Sequence, residues 1–149
     1  MEYFPEKFDI NLLQYQNLKN VLVNLRRIKM SYFHEANEYY NAKDYKKALN
    51  MYEKSIKLKE NEASSLYNSA VCFIKLKEYD KAIPLLKSAI NLKQESKYFF
   101  NLGYCYTMLK DNRKALVYFN TAWSLNNDDT DCEKAINIII KNHLSKKSK

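Results

Sequence analysis

Glycine occurs once and proline twice in 149 residues, so the chain holds almost nothing that breaks a helix. Gly103 is the glycine, and Pro5 and Pro84 are the prolines. Such scarcity predicts an all-α protein with short turns. No run of about 20 apolar residues is present, which argues against a membrane span. The opening stretch, Met1 to Asp9, carries Glu2, Glu6 and Asp9 without an apolar run, unlike a secretory signal. The two histidines, His34 and His143, lie far apart, and no Cys/His spacing suits zinc. A single glycine cannot build a phosphate-cradling loop. The sequence therefore gives no catalytic residue, no metal ligand and no cofactor, and an enzyme is not expected.

Three cysteines cannot all pair. Cys72 and Cys105 occupy equivalent places in successive repeats, where stacked helices lie roughly 8–10 Å apart, too far for an undistorted disulfide. Reduced, semi-buried thiols in a cytoplasmic protein are expected. The net charge of +8 raises the question of an anionic partner, but the lysines are spread through turns, second helices and the tail. Nucleic acid is accordingly disfavoured as a partner.

The chain is organised around Phe99 to Ala122. Phe99, Leu102, Gly103 and Tyr106 are followed, after a short break, by Ala115, Phe119 and Ala122, each group at helical spacing. Small residues allow two helices to approach, and rings fill the space between them. Aligning Ala115 with Ala82 and Ala48 gives steps of 33 and 34 residues. The second copy reads Leu66, Ala70, Phe73, Ala82, Leu86, Ala89, and the first reads Tyr32, Ala36, Tyr39, Ala48, Tyr52, Ser55.

This pattern resembles the tetratricopeptide repeat, a helical hairpin of about 34 residues. RNA-reading helical repeats have a similar period without this Gly/Ala and aromatic spacing. The departures from the pattern are Glu35 and Ser69 for the usual Leu, Ser55 for the last Ala, and no closing Pro in any copy. The resemblance implies a right-handed α-solenoid of three hairpins with an N-terminal helix and a C-terminal capping helix, in a single domain. The expected boundaries are 1–28 for the N-terminal arm and helix, then 29–62, 63–95 and 96–128 for the repeats. A capping helix over 129–145 and a tail over 146–149 complete the chain.

Within this frame, a helix is expected from Ile10 to Ile28, with Asp9 as its cap and Leu18, Val21, Leu22 and Leu25 as an apolar stripe. The stripe covers the first hairpin or forms a dimer seam. Turns are expected at Lys43-Asp44, Lys77-Glu78 and Lys110-Asp111-Asn112. Pro84 falls early in a second helix, where a missing N–H is tolerated. Thr130 and Glu133 have the spacing of a capping box at the start of the last helix. Asp128, Asp129 and Asp131 there suit the helix dipole better than calcium.

The resemblance also implies that first helices line a concave, peptide-holding groove. The corresponding face carries Phe33, Asn37 and Tyr40, then Tyr67, Asn68, Val71 and Ile74, then Lys97, Phe100, Asn101, Tyr104 and Met108. Phe33, Tyr67 and Phe100 form an aromatic column beside a polar one of His34, Asn68 and Asn101. Rings suit apolar side chains of a peptide, and amides suit its backbone. The same rings are alternatively inter-repeat core, or are covered by Tyr3, Phe4 and Phe8 of the N-terminal arm.

Relatives that bind chaperone tails use a two-carboxylate clamp. Asn37, Asn68 and Lys97 match it, but Phe33 and Asn101 replace its other Lys and its Arg. With two of three cations gone, an acidic chaperone terminus is disfavoured. The expected function is a non-catalytic protein–protein interaction module binding a peptide segment. Alternatives are a chaperone of secreted proteins like those of type III secretion, a basic nucleic-acid or anionic-surface binder, and a structural homo-oligomer. In the last, Leu18, Leu22, Leu25, Ile138 and Ile140 of the terminal helices form the seam of a homodimer.

Overall fold

The computed structural model describes residues 11–28 and 31–147, and among them every regular element is an α-helix. The chain divides into two units, 1–31 and 32–149. In the first, α1 runs from Leu12 to Ile28. Its start is fixed reciprocally: Asn11 Oδ1 accepts from the Gln14 N–H at 2.8 Å, and Gln14 Oε1 accepts from the Asn11 N–H at 3.2 Å. Asn11 therefore stands where Asp9 was expected. Asp9 lies outside the described residues, as do Tyr3, Phe4 and Phe8 of the arm.

The second unit holds α2 (Tyr32–Asn41), α3 (Tyr45–Lys57), α4 (Glu62–Lys75), α5 (Tyr79–Leu92), α6 (Ser96–Met108), α7 (Asn112–Leu125) and α8 (Thr130–Lys147). Each packs chiefly on its neighbours in sequence, giving the hairpins α2/α3, α4/α5 and α6/α7 with α8 on α7. Small residues set the spacing: Ala36, Ala48, Ala70, Ala82, Ala89, Ala115 and Ala122 are wholly buried. At Gly103 a Cβ would lie 2.9 Å from Phe119 Cδ1 and Cε1, so α6 and α7 meet there with no room for a methyl group. Ser55, at the place of an alanine, is also wholly buried and bonds the Glu60 carbonyl at 2.7 Å and Ser65 Oγ at 2.9 Å.

The three hairpin turns share one geometry. Lys43, Lys77 and Lys110 take the left-handed conformation, with φ of 61°, 61° and 66°. The next residue donates back to the carbonyl five residues earlier: Asp44 to Tyr39, Glu78 to Phe73 and Asp111 to Tyr106. These are Schellman closures, in which glycine is the usual left-handed residue. Asp44 and Asp111 then cap the following helix through the N–H groups of Lys47 and Lys114.

Pro84 lies inside α5, in its second turn. α8 is capped by Asp129, whose Oδ1 accepts from Asp131 N–H at 2.9 Å and Cys132 N–H at 3.4 Å, so Thr130 is its first residue and not its cap. This places one carboxylate of the acidic run on the helix N-terminus. Cys72, Cys105 and Cys132 are unpaired and fully buried, more so than the semi-buried thiols expected.

Candidate functional site

The first helices α2, α4 and α6 present the face singled out by the repeat register. Two hollows lie along it. One, of 400 Å³, is lined by Asn37, Tyr40, Asn41, Tyr52, Tyr67, Asn68 and Val71. The other, of 410 Å³, adds Ile74, Lys75, Lys77, Tyr79, Phe100, Asn101 and Tyr104 to Tyr40 and Val71, which line both. The shared pair sets the two hollows side by side along one face, together called the furrow.

Polar order in the furrow is built by bonds between repeats. Asn37 Oδ1 accepts from the Tyr52 hydroxyl at 2.5 Å and from Asn68 Nδ2 at 3.2 Å. One repeat on, Asn101 Nδ2 donates to the Tyr67 hydroxyl at 3.1 Å and to the Lys97 carbonyl at 2.9 Å. These bonds hold the amides in place and leave Asn37 Nδ2 and the Asn68 and Asn101 carbonyl oxygens outside the network. Burial pushes the Tyr40, Tyr67 and Tyr104 hydroxyls above their usual pKa, with Tyr45 adding to the effect at Tyr40 and Tyr79 at Tyr104. All three are neutral hydrogen-bonding groups at physiological pH.

Of the twelve residues expected in the groove, nine line the furrow: Asn37, Tyr40, Tyr67, Asn68, Val71, Ile74, Phe100, Asn101 and Tyr104. Phe33 instead lies against the Tyr52 ring, 6.0 Å between centroids. Lys97 is paired with Glu95 at 3.1 Å and sits 5.1 Å over the Tyr67 ring. Met108 is exposed outside both hollows. In the polar column, His34 turns to Glu38 at 3.4 Å. The aromatic column is half groove and half packing: Tyr67 stacks on Tyr98 at 4.8 Å and Phe100 tilts against Phe119 at 5.3 Å.

The residues not foreseen are Asn41, Tyr52, Lys75, Lys77 and Tyr79. Tyr52 carries the spacing of a core residue, and its ring is indeed buried while its hydroxyl reaches the furrow. Tyr79 begins a second helix and is brought in by an edge-on contact with Tyr104 at 6.2 Å.

Comparison with known proteins agrees with this architecture. The family model described as anaphase-promoting complex, cyclosome, subunit 3 matches residues 24–89, and that of the tetratricopeptide repeat matches residues 96–129. Anaphase-promoting complex subunit 3 of Schizosaccharomyces pombe is 32% identical over 93 residues, 62% of this chain and 14% of that protein. The Hsp70-Hsp90 organising protein of Plasmodium falciparum is 34% identical over 86 residues, 58% of this chain and 14% of that protein. The chain thus spans only 14% of the length of either relative. Among solved structures, the first TPR of Spaghetti (RPAP3) bound to the HSP90 peptide SRMEEVD superposes with a TM-score of 0.72 at 17% identity. That match covers 76% of this chain and 90% of that one. With the hairpin stack, the repeated small-residue register and both family models in accord, the chain belongs to the tetratricopeptide repeat family.

Proposed function

We propose that the chain is a non-catalytic interaction module that takes a short segment of a partner protein into the furrow of α2, α4 and α6. The observation that carries this reading is the adjacency of the two hollows: Tyr40 and Val71 line both, and rings and hydrogen-bonded amides line them together. An extended segment entering it finds apolar contact on the Tyr40, Ile74 and Tyr104 side and backbone partners on the Asn37 and Asn68 side. Each large apolar side chain so buried contributes roughly 1.5–3 kcal/mol. Two or three such anchors offset the cost of association and give a reversible complex. The structural neighbour bound to an HSP90 peptide, and the Hsp70-Hsp90 organising protein among the relatives, support use as an interaction module.

The partner's chemistry differs from that of an acidic chaperone tail. Phe33 and Asn101 take the places of two clamp cations, and Lys97, the one that matches, is engaged by Glu95. A peptide with bulky apolar residues is preferred over one ending in paired carboxylates.

A peptide array probed with the chain and with Val71→Glu tests this. Val71 lines both hollows and is not a fully buried residue, so the variant is expected to fold. Capture of apolar peptides should fall about tenfold or more, with the helical circular dichroism and urea midpoint retained. Equal capture by the folded variant, or no capture by the parent chain, would refute the proposal.

A further inference from the structure

A third hollow, of 330 Å³, opens at the far end of the stack, between α7 and α8. Leu116 and Ile139 form its apolar floor, Asn112 and Asn142 contribute amides, and Arg113, His143 and Lys146 form its rim. None of these residues belongs to the furrow.

The repeat register explains why it is there. Stepping back 33 residues, the interval between Ala82 and Ala115, Leu116 and Ile139 correspond to Ile83 and Tyr106. At that earlier seam Tyr106 is stacked on Tyr118 of α7, 5.4 Å between centroids with the rings 6° from parallel. Ile83, Tyr106 and Tyr118 belong to one apolar cluster. The helix that follows thus closes the seam with a ring. Over the Leu116–Ile139 seam no ring is placed among the described residues as Tyr118 is over the earlier one, and the hollow opens there. Its floor is apolar, so filling it with a side chain removes apolar surface from water.

The rim differs in charge from its counterpart. Arg113, His143 and Lys146 stand where the earlier seam has Asp80, Lys110 and Arg113. A mixed set has become a set with no carboxylate. Asp111, whose carboxylate feels the Arg113 charge, is already held by Lys114 at 3.3 Å.

We propose that this hollow is a second docking site, distinct from the furrow, for an amphipathic helix of a partner protein. That helix presents a large apolar side chain, ideally aromatic, to Leu116 and Ile139, as Tyr118 is presented to the earlier seam. Acidic residues on its flank face Arg113 and Lys146. A second copy of this chain carries a net charge of +8, and its apolar helix α1 holds no Asp or Glu to set against the rim. Rim charges of this kind select the partner and speed its approach.

The test uses the full chain and a fluorescein-labelled 18-residue designed helix. The helix carries Tyr and Leu on one face and Glu on both flanks, and its control has Lys in place of Glu. Fluorescence anisotropy should show saturable binding of the Glu probe and about tenfold weaker binding of the Lys probe. Arg113→Glu/Lys146→Glu changes two exposed side chains, so the fold is kept, and it should weaken the Glu probe about tenfold and reverse the preference. Val71→Glu should leave probe binding unchanged, which separates this site from the furrow. The inference is overturned if the Glu probe does not bind, if the double variant binds it equally, or if Val71→Glu abolishes binding. It is equally overturned if light scattering shows that the double variant dissolves a homodimer seated on this face. Displacement of the probe by duplex DNA or anionic vesicles, with stronger binding of either, also overturns it.

Discussion

Replacing Gly103 by alanine sets two known effects against each other at one atom. In a helix, alanine is favoured over glycine by about 1 kcal/mol. Against this, the new methyl carbon would lie 2.9 Å from Phe119 Cδ1 and Cε1 and 3.1 Å from Cγ. The Phe119 ring is 2% exposed and has the Phe100 ring 5.3 Å away, so it cannot simply swing into solvent. Overpacking of this kind costs about 1–3 kcal/mol. The expected net effect is a loss of about 1 kcal/mol, or about 4 °C in melting temperature. Equilibrium urea unfolding of Gly103→Ala, Phe119→Leu and the double variant measures it. In the Phe119→Leu background the ring is gone, and alanine at the glycine position should be neutral or stabilising by up to about 1 kcal/mol. Because Phe100 lines the furrow, the single variant Gly103→Ala should also weaken any peptide held there. A Gly103→Ala chain that is more stable than the parent by the full propensity gain would show that helix approach does not depend on this glycine.

Three further outcomes are expected. Lys43→Gly, Lys77→Gly and Lys110→Gly should each raise stability by a few tenths to about 1 kcal/mol, because relief of a left-handed backbone outweighs the added freedom of the unfolded chain; urea midpoints check this. Asn37→Ala should cost about 1–3 kcal/mol in the same assay, since it strips the acceptor from the hydroxyl of Tyr52, a residue only 1% exposed. Stability should also fall at alkaline pH. Burial pushes the Cys72 and Cys105 thiols up to about 12 and Cys132 to about 11, while unfolded thiols titrate near 8.5. The stabilising neutral form is fully present below about pH 8.5 and is lost between there and about pH 12, at roughly 1.4 kcal/mol per unit per thiol. Urea midpoints that stay level from pH 8.5 to 11 would contradict this.

The stack of hairpins was legible because its physics is local and periodic. Ala36, Ala70 and Gly103 on first helices, and Ala48, Ala82 and Ala115 on second ones, repeat at the interval that two packed helices require. The turns were legible as positions but not as conformations. Lysine gives no signal of a left-handed backbone, and the one glycine lies inside a helix, so Lys43, Lys77 and Lys110 stayed silent. Helix starts slipped by a residue or two where several polar residues compete, as with Asp129 and Thr130, since the choice of cap depends on chain direction into the helix. In the furrow, the resemblance to the repeat family pointed to a face of α2, α4 and α6, and nine of its twelve residues line the two hollows. It could not show that Tyr52 and Tyr79, from the second helices, reach into that space, because their reach depends on inter-helix geometry. The resemblance marked Lys97 as a groove residue, and Glu95, two residues earlier, engages its ammonium.

The neighbour-by-neighbour packing of α2 to α8 has a mechanical corollary. With few contacts between helices distant in sequence, no single bond network locks the whole unit, and local units can come away in turn. Stretched between its termini in an optical trap, this unit should lengthen in several small steps near a shared force, one hairpin per step. A lone rupture releasing all seven helices together would show that tension is carried by something other than adjacent packing.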